Sequence, residues 1–481
     1  MVTASSCDEW LSATSSMEIP SDKLFSTRGG FQDALSGIYI AMGEDDAYGK
    51  YYTWFANDLA AYPYVAISEL APAAWQTHNY THKTVKSEIA SMWLKGYNII
   101  AGINKILSEL EVRRDVITSD VEYRLMKGEL LALRAYIHFD LMRMFGIPDW
   151  TGDNASKLTI PYVTVYSKEP VQQKSYAATA ELLMWDIESA LELLEDVDPV
   201  KGVVSDDFAT TINDNGFWNN RTTHLNYYAV KALAARVYQW NNDTETAARY
   251  AGEVIDEVFA NDVVSWVDAE EILLSVSNDS KDWSFSCEHI FSLQISELYS
   301  KVYQIVLGNA PLYALYVYEN LVSGILFPIL QNGLTSGAED IRGTALHLKY
   351  SGGGYLCYKL YGSSSYKAAY RNRMPMIKIS EMYYMVAENH IARGENAEAI
   401  AALDQVRKNR GIKDELPADT DPMAELMKEY YREFISEGQL FYWLKHKGVN
   451  SSLSNEFSVK ASDLVYPYPE DEINYGRKQE L

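Results

Sequence analysis

The residues best suited to chemistry in this chain are aromatic rather than nucleophilic. From Asn57-Asp58 to Trp75-Gln76-Thr77-His78-Asn79-Tyr80, rings alternate with short polar side chains. A sugar presents C–H faces that stack on indole and phenol, and hydroxyls that need small polar partners. On that reading Trp75 is the stacking ring, Asp58 and Asn79 supply hydrogen bonds, and Tyr80 serves either purpose. The competing reading makes Trp75 a core aromatic. Catalytic patterns are missing: the sequence contains no G-x-S-x-G, no H-E-x-x-H and no phosphate-binding loop. Glu44-Asp45-Asp46 and Asp206-Asp207 offer paired carboxylates of the kind glycoside hydrolysis uses. With 66 acidic residues such clusters arise by chance, and they read as solvated faces. Asn213-Asp214-Asn215-Gly216 opens like a calcium loop, but Thr211 and Thr222 stand where carboxylates belong, so it reads as a turn. Gly352-Gly353-Gly354 likewise reads as a turn. No catalytic residue, metal site or cofactor is expected.

Composition narrows the partners. The chain has 481 residues with a net charge of −24, 36 Tyr and 11 Trp. Such a charge excludes nucleic acid, whose phosphates demand clustered Lys and Arg, and argues against an anionic lipid surface as the main partner. Cys7, Cys287 and Cys357 have no metal-ligand spacing and allow at most one disulfide. The longest apolar run, 321–330, is interrupted by Ser323, Gly324 and Pro328, too short and broken to cross a bilayer. No apolar stretch precedes Cys7, so a signal peptide is expected to have been removed from this numbering.

The elements that must position these residues are helices. Met126, Leu130, Leu133, Ile137, Leu141 and Met144 form one helical stripe over 121–145, closed by Gly146 and Pro148. Further helices are expected over 87–110 and 173–195. Two segments, 226–258 and 378–408, each read helix, turn, helix. A shift of 152 sets Ala235 on Ala387, Asn242 on Gly394, Ala247 on Ala399 and Val254 on Val406. Small residues at helix crossings and a left-handed turn residue follow the logic of tetratricopeptide repeats. Such pairs must stack to bury their faces, so further units are expected within 87–195. Residues 43–86, 197–221 and 262–372 are instead rich in Tyr, Trp, Gly, Ser and Asn, with short β-like alternation at Ile290–Gln294. Long loops on a rigid scaffold usually carry function.

Several pieces in order resemble the RagB/SusD family. Cys7-Asp8-Glu9-Trp10-Leu11 looks like its lipidated start, and Phe31–Tyr39 is similar to its first helix. Glu129-Leu130-Leu131-Ala132-Leu133-Arg134-Ala135-Tyr136, continuing to Phe145-Gly146-Ile147-Pro148, is the most recognisable stretch. Asp340-Ile341-Arg342, Arg373-Met374-Pro375 with Ile379-Ser380-Glu381-Met382, and Tyr466-Pro467-Tyr468-Pro469 complete the series. The sequence departs from the pattern at Leu440, where an Arg is usual, near Trp443 and His446, and at Ala4, where a branched apolar residue is usual.

The resemblance implies a mostly α fold: a superhelix of tetratricopeptide-like helix pairs with long irregular and short β insertions. It implies a single domain over 1–481, with scaffold at about 87–260 and 373–445 and ligand-binding insertions at about 43–86 and 262–372. It implies a non-enzymatic lipoprotein, anchored through Cys7 on the extracellular face of an outer membrane. Such a protein binds oligosaccharide or polysaccharide and delivers it to a SusC-like TonB-dependent transporter for nutrient uptake. Family sites also draw rings from the insertion after the middle repeats, which adds Trp283 and Tyr299, with Trp218 a weaker candidate. Arg134, Arg342, Glu381 and Glu388 match family motifs but are expected to be structural. The alternatives are a peptide-binding RagB-like member, a tetratricopeptide adaptor for protein partners, and a glycoside hydrolase.

Overall fold

The computed structural model describes residues 21–476, apart from 63, 66–70, 203, 205–206, 275–280, 306–315, 329–338, 345, 351–353, 361–370, 449–450 and 455–456. Cys7, and with it the motif at 7–11, lies outside the described residues, as do Asp206, Gly352 and Gly353.

Helix α1 (Arg28–Met42) is capped by Thr27, whose hydroxyl accepts from Gly30 N–H. Two short helices follow, α2 (Ala56–Ala61) and α3 (Ala71–Gln76). The long α4 (Lys83–Val112) precedes α5 (Asp120–Phe145), α6 (Tyr176–Leu194), α7 (Tyr227–Trp240) and α8 (Thr244–Ala260). Ser119, Ser175, Asn226 and Asp243 cap the last four, each accepting from a backbone N–H in the first turn. The short α9 (Leu298–Tyr303) lies in the later insertion. The chain then builds α10 (Ile379–Ala392), α11 (Asn396–Lys408), α12 (Pro422–Glu433) and α13 (Gln439–Lys447).

The long helices pack successively, α4 on α5, α5 on α6, α6 on α7, α7 on α8, α8 on α10 and α10 on α11. This is the expected stacking of helix pairs. The α7–α8 and α10–α11 units share their turn chemistry as well. Asn242 and Gly394 both adopt left-handed backbone, with φ of 61° and 74°. Ala235, Ala247, Ala387 and Ala399 are buried at the crossings, where a larger side chain would hold the helices apart.

Helix α5 departs from its sequence pattern. A single apolar stripe was expected, yet every residue from Gly128 to Phe145 is buried. Its charged face is not solvated because its buried charges meet partners, most of them from elsewhere in the chain. The Arg134 guanidinium donates to both Asp186 carboxylate oxygens (2.8 and 2.6 Å) and to Asn104 Oδ1 (2.9 Å). Glu129 receives Arg221, His224 and the Tyr39 hydroxyl. His224, Arg221 and the Tyr39 hydrogen bond together hold the Glu129 carboxyl down to about 2 despite its burial.

The strands are short. β1 (Tyr64–Val65), β3 (Tyr316–Tyr318), β4 (His347–Tyr350) and β5 (Gly354–Cys357) form an antiparallel sheet in the order β1-β3-β5-β4, so the early insertion pairs with the later one. β2 (His289–Gln294) pairs antiparallel with β6 (Arg373–Lys378), which runs directly into α10. A buried ionic cluster fixes this junction. Arg342 donates to Asp340 and Glu429, Arg410 donates to Glu288 and Glu433, and Lys378 donates to Glu433 and Glu437. The Asp340-Ile341-Arg342 motif is therefore structural, as are Glu381, paired with Arg236, and Glu388, paired with Lys447.

Candidate functional site

The aromatic stretch 75–80 folds inward. Trp75 has 0% of its surface exposed, and its indole donates to Glu88 (2.7 Å). The Trp75 ring meets Tyr466 at 5.3 Å and 66°, and Tyr80 at 6.0 Å and 67°; Tyr80 and Tyr466 meet at 5.5 Å and 78°. Three rings set edge to face satisfy one another's quadrupoles and leave no face for a ligand. Trp75, expected either to stack on a sugar or to be a core aromatic, is packed here as a core aromatic. Tyr80 is half-buried, with its hydroxyl on the Asp463 carbonyl. Asn79 is exposed and accepts from the Thr81 hydroxyl (2.7 Å).

Asp58, expected to hydrogen-bond a sugar, lies fully buried on α2, accepting from the Tyr64 hydroxyl and from Ser436 N–H (3.0 Å). Burial pushes its carboxyl up to about 7, against the pull of those hydrogen bonds. Trp283 is buried in a satellite core with Val267, Ile272, Phe285, Ile341 and Leu346, so it too has no face to offer. Trp218, the weaker candidate, is buried with its indole on Glu122.

Tyr299 has a different setting. Its backbone N–H donates to Asn372 Oδ1 (2.9 Å) at the start of α9, and Glu297 and Asn372 both hold left-handed backbone. One helical turn on, Tyr303 lies parallel to it, with centroids 6.1 Å apart and ring planes 16° apart. Tyr303 is 40% exposed and Tyr299 is half-buried. The Arg371 guanidinium sits 5.0 Å from the Tyr299 ring centre. From the same helix Lys301 reaches Asp45 (2.5 Å) in the loop after α1. Beside Asp45, the Lys50 ammonium rests over Phe55 (4.3 Å) and Tyr51 (4.8 Å), and burial lowers its pKa. Tyr51 donates to Glu88, the carboxylate that also receives Trp75. The two insertions thus meet, and the place where they meet is a shelf of tyrosines edged by charges. Such a surface can cover the apolar face of a ring while carboxylate, ammonium and guanidinium groups address its hydroxyls. No metal-binding group of His, Cys, Asp and Glu occurs among the described residues.

The family model described as "Starch-binding associating with outer membrane" matches residues 10–239, and that of the SusD family matches residues 332–480. The chain belongs to the SusD family. Solved structures share the fold. A SusD superfamily protein from Bacteroides thetaiotaomicron is 21% identical, with a TM-score of 0.73 over 94% of this chain and 99% of its own. A SusD-like carbohydrate binding protein from Bacteroides vulgatus is 16% identical (TM-score 0.63; 88% of this chain, 84% of its own). NanU of B. fragilis is 17% identical (TM-score 0.64; 95% and 96%). No curated protein matches the chain.

In this SusD-family protein, then, the structure separates the six candidate residues. Trp75 and Tyr80 share the closed cluster, Asp58 and Trp283 are buried apart, Asn79 is at the surface, and Tyr299 lies on the shelf. Tyr303 and Arg371 lie against Tyr299, and Lys301, Asp45, Lys50 and Tyr51 form the adjoining edge; of these only Asp45 is named from sequence, in the acidic run Glu44-Asp45-Asp46 read as a solvated face. One signal was available for Tyr303: a four-residue spacing from Tyr299, which puts two side chains on one face of a helix. Asp45 and Arg371 carried none, since they reach the shelf only through the tertiary fold.

Proposed function

We propose that this protein is a non-catalytic glycan-binding lipoprotein of the cell surface. It holds oligosaccharide or polysaccharide on the Tyr299–Tyr303 shelf and passes it to a SusC-like TonB-dependent transporter. On this reading Cys7 carries the lipid that anchors the chain to the outer face of the outer membrane. The helix pairs are the platform, and the insertions at about 43–86 and 262–372 hold the ligand within a single domain. The observation that carries the site is the parallel, partly exposed pair Tyr299 and Tyr303, set at the meeting of the two insertions. Family membership supports the ligand class.

Affinity electrophoresis against a panel of polysaccharides tests it. At least one glycan should retard the protein, and the double substitution Tyr299→Ala with Tyr303→Ala should abolish the retardation while the circular dichroism stays unchanged. Binding that survives the double substitution would remove the shelf as the site. Turnover of the bound glycan would contradict the non-catalytic reading.

A further inference from the structure

Where α12 and α13 dock on the repeats, a small cavity opens between them and α5, α7 and α10. Arg143, Trp240, Glu381, Tyr430, Tyr442 and His446 stand around it. Three of these residues each carry a buried nitrogen with no hydrogen-bond partner among the described residues: Arg143 Nε, Trp240 Nε1 and His446 Nε2. Arg143 and Trp240 are each only 4% exposed. An indole N–H and an arginine Nε–H can only donate, and a buried donor left unmet is costly. Packing prevents these groups from turning elsewhere. The guanidinium lies 3.8 Å from the Tyr442 ring centre and 4.2 Å from that of Phe139. The Trp240 and His446 rings stack at 5.0 Å and 27°.

The charges around the cavity already cancel. Arg143 pairs with Asp140, Arg236 with Glu381, and Lys447 with Glu388. Burial, helped by neighbouring Lys447, holds His446 neutral with a pKa of about 3. A neutral imidazole keeps one nitrogen able to accept. The space suits about one water molecule, and an apolar void would not carry three polar nitrogens.

We propose that this cavity is a built site for a single water molecule, which accepts from Arg143 Nε and Trp240 Nε1 and donates to His446 Nε2. The water ties α13 to α5 and α7 at a place where direct hydrogen bonds do not reach. It is independent of the glycan shelf.

Crystals of the full chain, grown without chloride and soaked in sodium bromide, distinguish the occupants. The expected result is one spherical density peak within about 3.2 Å of both Arg143 Nε and Trp240 Nε1, with no anomalous bromide signal. A bromide peak at that position would make the site an anion site and overturn the assignment to water. Absence of density would overturn the site itself. Trp240→Phe keeps an aromatic ring on α7 but removes the indole N–H donor, so the peak should weaken or vanish; an unchanged peak would overturn the bridging role.

Discussion

The Trp75–Tyr80–Tyr466 cluster and the Tyr299–Tyr303 pair are built from the same residue types, yet one is closed and the other open. In the first, three rings meet edge to face and consume each other's surfaces. In the second, two rings stand parallel one turn apart on a six-residue helix, with Tyr303 40% exposed. Ring geometry and the reach of partners from elsewhere in the chain, not aromatic content, separate a closed aromatic cluster from an open one. Glu88 connects the two regions, because it accepts both from the buried Trp75 and from Tyr51 beside the shelf.

Substitutions should break this comparison in opposite ways. The largest effect belongs to the closed cluster. Trp75→Ala removes a fully buried indole and should cost about 3–5 kcal/mol of stability. Urea denaturation would read that loss, while glycan affinity of the folded fraction stays as before. A Trp75→Ala protein with parental stability but lost binding would reverse the assignment of the two clusters.

Next is the buried carboxyl of Asp58. Its pKa is raised from 3.8 to about 7 by burial. The folded chain therefore keeps a proton that the unfolded chain releases above its own lower pKa. Stability from this group falls as pH rises from about 4 to about 7. Asp58→Asn should remove that fall, so the variant gains more over the parent at pH 8 than at pH 5 in denaturant titrations. An identical gain at both values would place the proton elsewhere. Glu129 and Glu429, both held at about 2 by neighbouring arginines and their other partners, act in the opposite sense. Their contribution is present above about 4.5 and is lost as pH falls toward 2.

The shelf should respond in binding rather than in stability. Tyr299→Ala or Tyr303→Ala alone should weaken glycan affinity roughly two- to tenfold, from about 0.5–1.5 kcal/mol per aromatic contact. Calorimetry would measure it, with the melting temperature nearly unmoved. The smallest effect is expected at the edge. Lys301→Ala breaks an exposed pair with Asp45 and should change stability by less than about 1 kcal/mol. A larger loss would mean that this pair, rather than the β1–β3 pairing, holds the insertions together.

The helical platform was legible because its signals are local. The expected helix over 121–145 is α5 within a residue of each end, and Asn242 and Gly394 do occupy equivalent left-handed turns. The polar face of α5 was not legible. Arg134 is expected from sequence to be structural, but its partner and those of Glu129 and Asp140 are not readable there, because Asp186, Arg221 and Tyr48 come from remote segments to neutralise or hydrogen-bond them. The setting of each candidate ring was hidden for the same reason. Trp75 is hidden by Tyr466 from the far end of the chain, whereas Tyr299 is presented by the side chain of Asn372. A six-residue helix has too little periodicity to declare itself, and neither the lid on one ring nor the support of the other is written nearby in sequence.

The most direct measurement is a crystal structure with a glycan that the protein binds. A sugar ring is expected within about 4 Å of Tyr299 or Tyr303, with hydroxyls directed to Lys301, Asp45 or Arg371. A ligand seated against Trp75 or Tyr80, with the Tyr299–Tyr303 shelf empty, would contradict that expectation.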